Sequence, residues 1–112
     1  MALLLAASTT MGAQSKPALA PPTEVRVLVT GFGTARVSWK PAPKAAGYVV
    51  LRSIDRGPFM EVAKLRSDAR YFLDRVGILT VPVRYRVYAF NAKGKSPQAE
   101  AAASSTSRGV KQ

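Results

Sequence analysis

Six carboxylates, Glu24, Asp55, Glu61, Asp68, Asp74 and Glu100, are the residues of this chain whose type suits acid–base work. Such catalysis needs titrating groups within hydrogen-bond reach of one substrate, and no two of the six are spaced to share a site. Asp68 and Asp74 lie six residues apart across a predicted strand, which argues against pairing. The chain has no histidine and no cysteine. The commonest general base, the commonest metal ligand, thiolate nucleophiles and disulfides are therefore excluded together. No glycine-rich phosphate loop and no metal-ligand cluster is present. The expectation is a protein that is not an enzyme, with no catalytic residue, no cofactor and no metal site.

The remaining chemistry is basic. Seventeen Lys and Arg against six Asp and Glu give a net charge of +11, which draws a chain toward polyanions. The bases Arg26, Arg36, Lys40, Lys44, Arg52, Arg56, Lys64 and Arg66 are dispersed rather than clustered. Dispersed charge reads as the solvated outer positions of strands and loops. Weak nonspecific polyanion binding is expected from it, and a dedicated nucleic-acid footprint is the alternative.

The elements that carry these residues have a period of two, the mark of strands with one buried face. Val25, Val27 and Val29 alternate with Arg26 and Leu28, and Ala35, Val37 and Trp39 alternate with Arg36 and Ser38. Between them the turn Thr30-Gly31-Phe32-Gly33 offers glycine where positive φ is needed. Pro41-Ala42-Pro43 stops the second strand, because proline cannot donate to a ladder. Tyr48 and Val50 then point one way, Val49 and Leu51 the other. Asp55-Arg56-Gly57-Pro58 is a turn, and strands are expected at 59–64, 70–73, 83–91 and 98–103. A helix over 60–76 competes, but Val62, Leu65, Phe72, Leu73 and Val76 hold no helical stripe beyond two turns. About seven short strands with regular turns indicate an all-β antiparallel sandwich. A length of 112 residues and a hydrophobic content of 47% allow one such domain with a real core.

Residues 1–20 differ in kind. They begin with the apolar run 2–7, contain no acid, and end in Ala18-Leu19-Ala20 before Pro21-Pro22. The small-x-small ending resembles a signal-peptidase site, although no basic head precedes the apolar run. That run is too short to span a bilayer. Residues 1–20 are read as a signal peptide or a disordered leader, 21–104 as the domain, and 105–112 as a flexible tail.

With this order of elements on the page, residues 21–104 resemble a fibronectin type III domain, an immunoglobulin-like antiparallel β-sandwich of about seven strands. Pro22 stands at the family's proline before the first strand, and Val37-x-Trp39-x-Pro41 matches its second-strand signature with Trp39 as the central aromatic. Tyr48-x-Val50 matches the third strand. Leu79 and Tyr85 match the pair that closes the sheet corner, and Asn91-x-x-Gly94-x-Ser96 matches the final hairpin. The resemblance implies that Tyr85 buries its ring and sets its hydroxyl against backbone near the preceding corner. Two departures stand out: Val81 and Pro82 shift the expected corner proline by one residue, and the adhesive tripeptide Arg-Gly-Asp is absent.

With Tyr85, Val87 and Ala89 inward, Arg84, Arg86, Tyr88 and Phe90 face outward. Val49 and Leu51 leave the neighbouring strand on the same side. These six form the candidate binding face. Rings beside guanidinium groups can contact a protein or a glycan, or they can simply pair across strands on a solvated sheet. The functional expectation is a non-catalytic binding or spacer module, monomeric, without a transmembrane segment. The leader implies a secreted, cell-surface or periplasmic location. The alternatives are a basic polyanion- or nucleic-acid-binding domain, and a fragment of a larger modular surface protein or enzyme.

Overall fold

The computed structural model describes residues 19–30, 33–77 and 80–103. Leu79 of the expected sheet corner, Gly31 of the first turn, the tail 105–112 and most of the leader lie outside these residues.

Eight strands follow in order: β1 (Thr23–Val29), β2 (Thr34–Lys40), β3 (Gly47–Ile54), β4 (Met60–Arg66), β5 (Tyr71–Arg75), β6 (Val83–Asn91), β7 (Gly94–Lys95) and β8 (Ala99–Ala102). The region that could have been a helix is β4, a turn and β5. The strand expected at 98–103 is β8, and the short β7 lies in the expected turn, separated from β8 by Pro97, which has no N–H to give the ladder. All pairings are antiparallel. One sheet has the order β1-β2-β5, and the other runs β4-β3-β6 with β7 and β8 both paired to β6.

The two sheets bury the inward phase of each alternation. Val27, Ala35, Val37, Trp39, Tyr48, Val50, Val83, Tyr85, Val87 and Ala89 are all buried core residues. Trp39 lies 5.4 Å from Tyr48, ring centre to ring centre, in a tilted pair. Truncating Trp39 to alanine is expected to remove about 3–5 kcal/mol. Leu19 is also in this core, 2 % exposed, and Pro22 is fully buried. The packed unit therefore begins before Pro21, inside the stretch read as leader.

The turns show why particular residues stand where they do. Asp55 and Arg56 have φ of 52° and 64°, and the Gly57 N–H donates to the Ile54 carbonyl at 2.9 Å. Two successive positive φ values are the pattern of the tight hairpin turn that suits the twist of its strands. Asn91, Gly94 and Ser96 likewise have separate tasks. The Asn91 Oδ1 accepts from the Lys93 N–H at 2.8 Å, and its Nδ2 donates to the Lys44 carbonyl at 3.2 Å. Gly94 takes φ of 143°. Ser96 is buried and accepts the Ala89 N–H on its Oγ at 2.8 Å.

Candidate functional site

The cross-strand register sets the candidate face. Val49 pairs with Tyr88, Leu51 with Arg86, and Gly47 with Phe90 along β3 and β6. All six expected residues thus lie on the outer face of the larger sheet. Their exposure is unequal: Val49 is buried at 3 %, and the other five are half-buried. Longer side chains in the same rows cover Val49, which sits between Lys64 of β4 and Tyr88 of β6.

The face divides into two ends. At one end Arg86 Nε donates to Glu100 at 2.8 Å, and Arg84 reaches the same carboxylate at 3.6 Å. Phe59 lies under both guanidinium groups, 3.9 Å from Arg86 and 5.0 Å from Arg84. Arg84 also donates to the Ser53 Oγ at 3.3 Å. These cations already have partners. At the other end Lys64 stands 5.0 Å over the Phe90 ring, and Lys95 stands 5.5 Å over Tyr88. An open cleft of about 480 Å³ lies there, lined by Glu61, Lys64, Tyr88, Phe90, Lys93 and Lys95, with Val49 behind them. Its size falls in the range of ligand sites. Gly47 makes room for Phe90: a Cβ at that position would come within 2.6 Å of the ring and 2.5 Å of the Leu65 carbonyl oxygen.

Inside the sandwich the structure gives Tyr85 a partner and corrects the expectation for Arg52. The Tyr85 hydroxyl donates to the Asp74 carboxylate at 2.7 Å, and the corner at 78–79 against which the resemblance sets it lies outside the described residues. Burial, and then this hydrogen bond, push the phenol well above its ordinary value. Tyr48 makes a hydroxyl-to-backbone contact of its own, its oxygen accepting the buried Ala42 N–H at 2.9 Å. The correction concerns Arg52, expected among the solvated bases. It follows Tyr48 and Val50 in the inward phase, and its Nη1 lies 2.9 and 2.8 Å from the two oxygens of Asp74. Asp74 is 6 % exposed. The three side chains join β3, β5 and β6 across the sandwich. This is a structural cluster: Asp74 is fully engaged, and the small apolar cavity against Tyr85 measures only about 50 Å³, far below the roughly 300–1,000 Å³ of ligand pockets.

A second surface went unread in the sequence. On the outer face of the three-stranded sheet, Leu28, Arg36 and Leu73 form one row, and Arg26, Ser38 and Tyr71 form the next. Leu28, Leu73 and Tyr71 are 60 %, 53 % and 49 % exposed. Arg36 lies 4.5 Å over the Tyr71 ring. At its margin Glu24 takes Lys40 at 2.9 Å and Arg26 at 3.5 Å, and the Lys40 hydrogen bond lowers the Glu24 carboxyl below its ordinary value. The available signal was Leu28 and Leu73, each in the outward phase of its strand.

Among the described residues no group of three His, Cys, Asp or Glu is placed to hold a metal ion. Among them no helix is long and apolar enough to cross a membrane.

No protein-family model and no curated protein matches the sequence. Solved structures do. The chain is similar to a Fn3-like protein from Clostridium thermocellum, with 27% identity and a TM-score of 0.67 over 78% of this chain and 93% of that one. It is similar to the Fn3 domain of the human collagen alpha-1(XX) chain at 19% identity and TM-score 0.69, over 81% and 89% of the two chains. It also resembles part of the twitchin kinase region of C. elegans, an Fn3–kinase–Ig assembly. There the identity is 20% and the TM-score 0.65, over 76% of this chain and 16% of that one.

Proposed function

Because the chain forms a fibronectin type III domain, a class of generally non-catalytic modules, we propose that it is a binding or spacer module. Its contacts with a protein or glycan partner run through the outer face of the five-stranded sheet. The observation that carries this reading is the lysine-lined cleft beside Tyr88 and Phe90, where aromatic rings meet cations that form no ion pair among the described residues. Aromatic and basic side chains are the types enriched where proteins bind. The module is exported and acts as a monomer, either alone or within a larger modular protein.

Arrays of proteins and glycans probed with wild type, Arg86→Glu and Tyr88→Ala test this reading. Loss of the wild-type partners in the variants supports it, and identical profiles remove the face from consideration. The net charge of +11 favours one second reading, a sequence-blind polyanion binder. Its discriminator is salt: binding through several phosphates weakens steeply as salt rises, and a nucleic-acid function requires affinity that persists at physiological ionic strength.

A further inference from the structure

We propose that the cleft beside the β6–β7 hairpin docks an acidic peptide segment of a partner protein, gripped by Lys64, Lys93 and Lys95. The proposal rests on the reading that the five-stranded sheet carries the contact surface, and it names the chemistry that surface recognises.

Three ammonium groups and one carboxylate, Glu61, line the cleft. Among the described residues none of the three lysines takes part in an ion pair, in contrast to Arg84 and Arg86 at the other end of the face. Positive charge thus collects in a concavity backed by Val49, Tyr88 and Phe90, and low-dielectric walls focus its field on an incoming anion. The rings hold Lys64 and Lys95 in place, and this cation–π contact limits the freedom lost when a carboxylate binds.

The same geometry favours a peptide over a saccharide. A sugar needs bare ring faces and many neutral hydrogen-bond partners. Here Phe90 and Tyr88 each carry an ammonium, and both ends of the Asn91 amide are occupied by Lys93 and Lys44 backbone. Recognition is left to charge. The hairpin supplying Lys93 and Lys95 is fixed by Asn91 and Ser96 hydrogen bonds, so the backbone that carries these lysines is set before the ligand arrives.

The test is an amide-resolved NMR titration of the full chain with a short peptide of alternating Glu and Asp, beside its Gln/Asn analogue and a uronate oligosaccharide. The proposal predicts shifts confined to Lys64, Tyr88, Phe90, Asn91, Lys93 and Lys95, with the acidic peptide alone. Lys64→Gln with Lys95→Gln should raise Kd about tenfold or more, while Arg36→Gln with Arg75→Gln on the opposite sheet leaves it unchanged. Tighter binding of the uronate chain, shifts spread evenly over both sheets, or equal affinity of the two double variants would overturn it. If the peptide misses the cleft while Arg86→Glu and Tyr88→Ala still lose their partners, the peptide assignment falls and the contact face stands. If those two variants keep every partner, the contact face itself falls.

Discussion

The Tyr85 hydroxyl donates to the Asp74 carboxylate at 2.7 Å across the interior of the sandwich, and Arg52, its cross-strand neighbour, holds the same carboxylate beside it. A domain without disulfides is therefore joined through its core by one charged cluster. Each member's removal has a different expected effect. Asp74→Ala leaves Arg52 half-buried without a counter-charge and should destabilise by about 3–5 kcal/mol. Tyr85→Phe removes one hydrogen bond from a carboxylate that keeps its arginine, and should cost about 1–2 kcal/mol. Replacing the pair with Arg52→Met and Asp74→Leu should be milder than Asp74→Ala alone, because no buried charge is stranded. Urea unfolding of the variants gives all the values.

The same hydroxyl sets an alkaline limit. Its folded-state pKa lies above the ordinary 10.0 because burial and the Asp74 hydrogen bond both oppose ionisation. The unfolded chain therefore loses this proton first, and the contribution of Tyr85 is fully present below pH 10.0 and declines as pH rises further. The stability advantage of wild type over Tyr85→Phe should be constant from neutral pH up to that point. Beyond it the advantage should shrink by about 1.4 kcal/mol per pH unit. Urea midpoints of the two proteins across the alkaline range check the slope.

How much of this was legible in the residues depends on range. Period-two alternation assigned the inward phase of β6 correctly from Val83 to Ala89, and the order of Trp39, Tyr48, Tyr85 and Gly94 pointed to the fold. Local patterns suffice there because each strand reports its own buried face. The Asp74 cluster depends on residues 22 positions apart, and nothing local joins them. One signal was present: Arg52 continues the inward series Tyr48-x-Val50, and Asp74 continues Phe72. Two opposite charges, each in an inward phase, required a partner. Tyr48 and Tyr85 are both inward tyrosines, and only the third dimension shows that one hydroxyl meets the Ala42 N–H and the other Asp74. On the candidate face, the register brought together the six expected residues, while Phe59, Lys64, Lys93 and Lys95 come from loops and neighbouring strands that alternation along β6 cannot report.

Arg56 offers a gain in stability. It holds φ of 64° in the β3–β4 turn, a conformation that costs a side-chain-bearing residue about 1–2 kcal/mol. Arg56→Gly creates the Asp-Gly sequence favoured in such turns. After the extra freedom of glycine in the unfolded chain is offset, the net gain should be about 0.5–1 kcal/mol. A rise in the thermal midpoint is the expected result.

Gly47 should tolerate no side chain. Its added Cβ would meet the Leu65 carbonyl oxygen at 2.5 Å and the Phe90 ring at 2.6 Å, and backbone cannot step aside cheaply. Gly47→Ala should destabilise by about 1–3 kcal/mol and move Phe90 away from Lys64. Chemical denaturation reads the first effect, and the Phe90 ring resonances read the second.

The central claim is that one sheet, not the other, meets the partner. Its most direct test compares partner affinity for two pairs of variants in the full chain. Arg86→Glu and Tyr88→Ala alter the five-stranded face, while Leu28→Ser and Leu73→Ser alter the exposed leucines of the three-stranded face. The account predicts that the first pair weakens binding about tenfold or more and that the second leaves it unchanged. Loss of binding in the leucine variants, with full binding retained by Arg86→Glu and Tyr88→Ala, would contradict it.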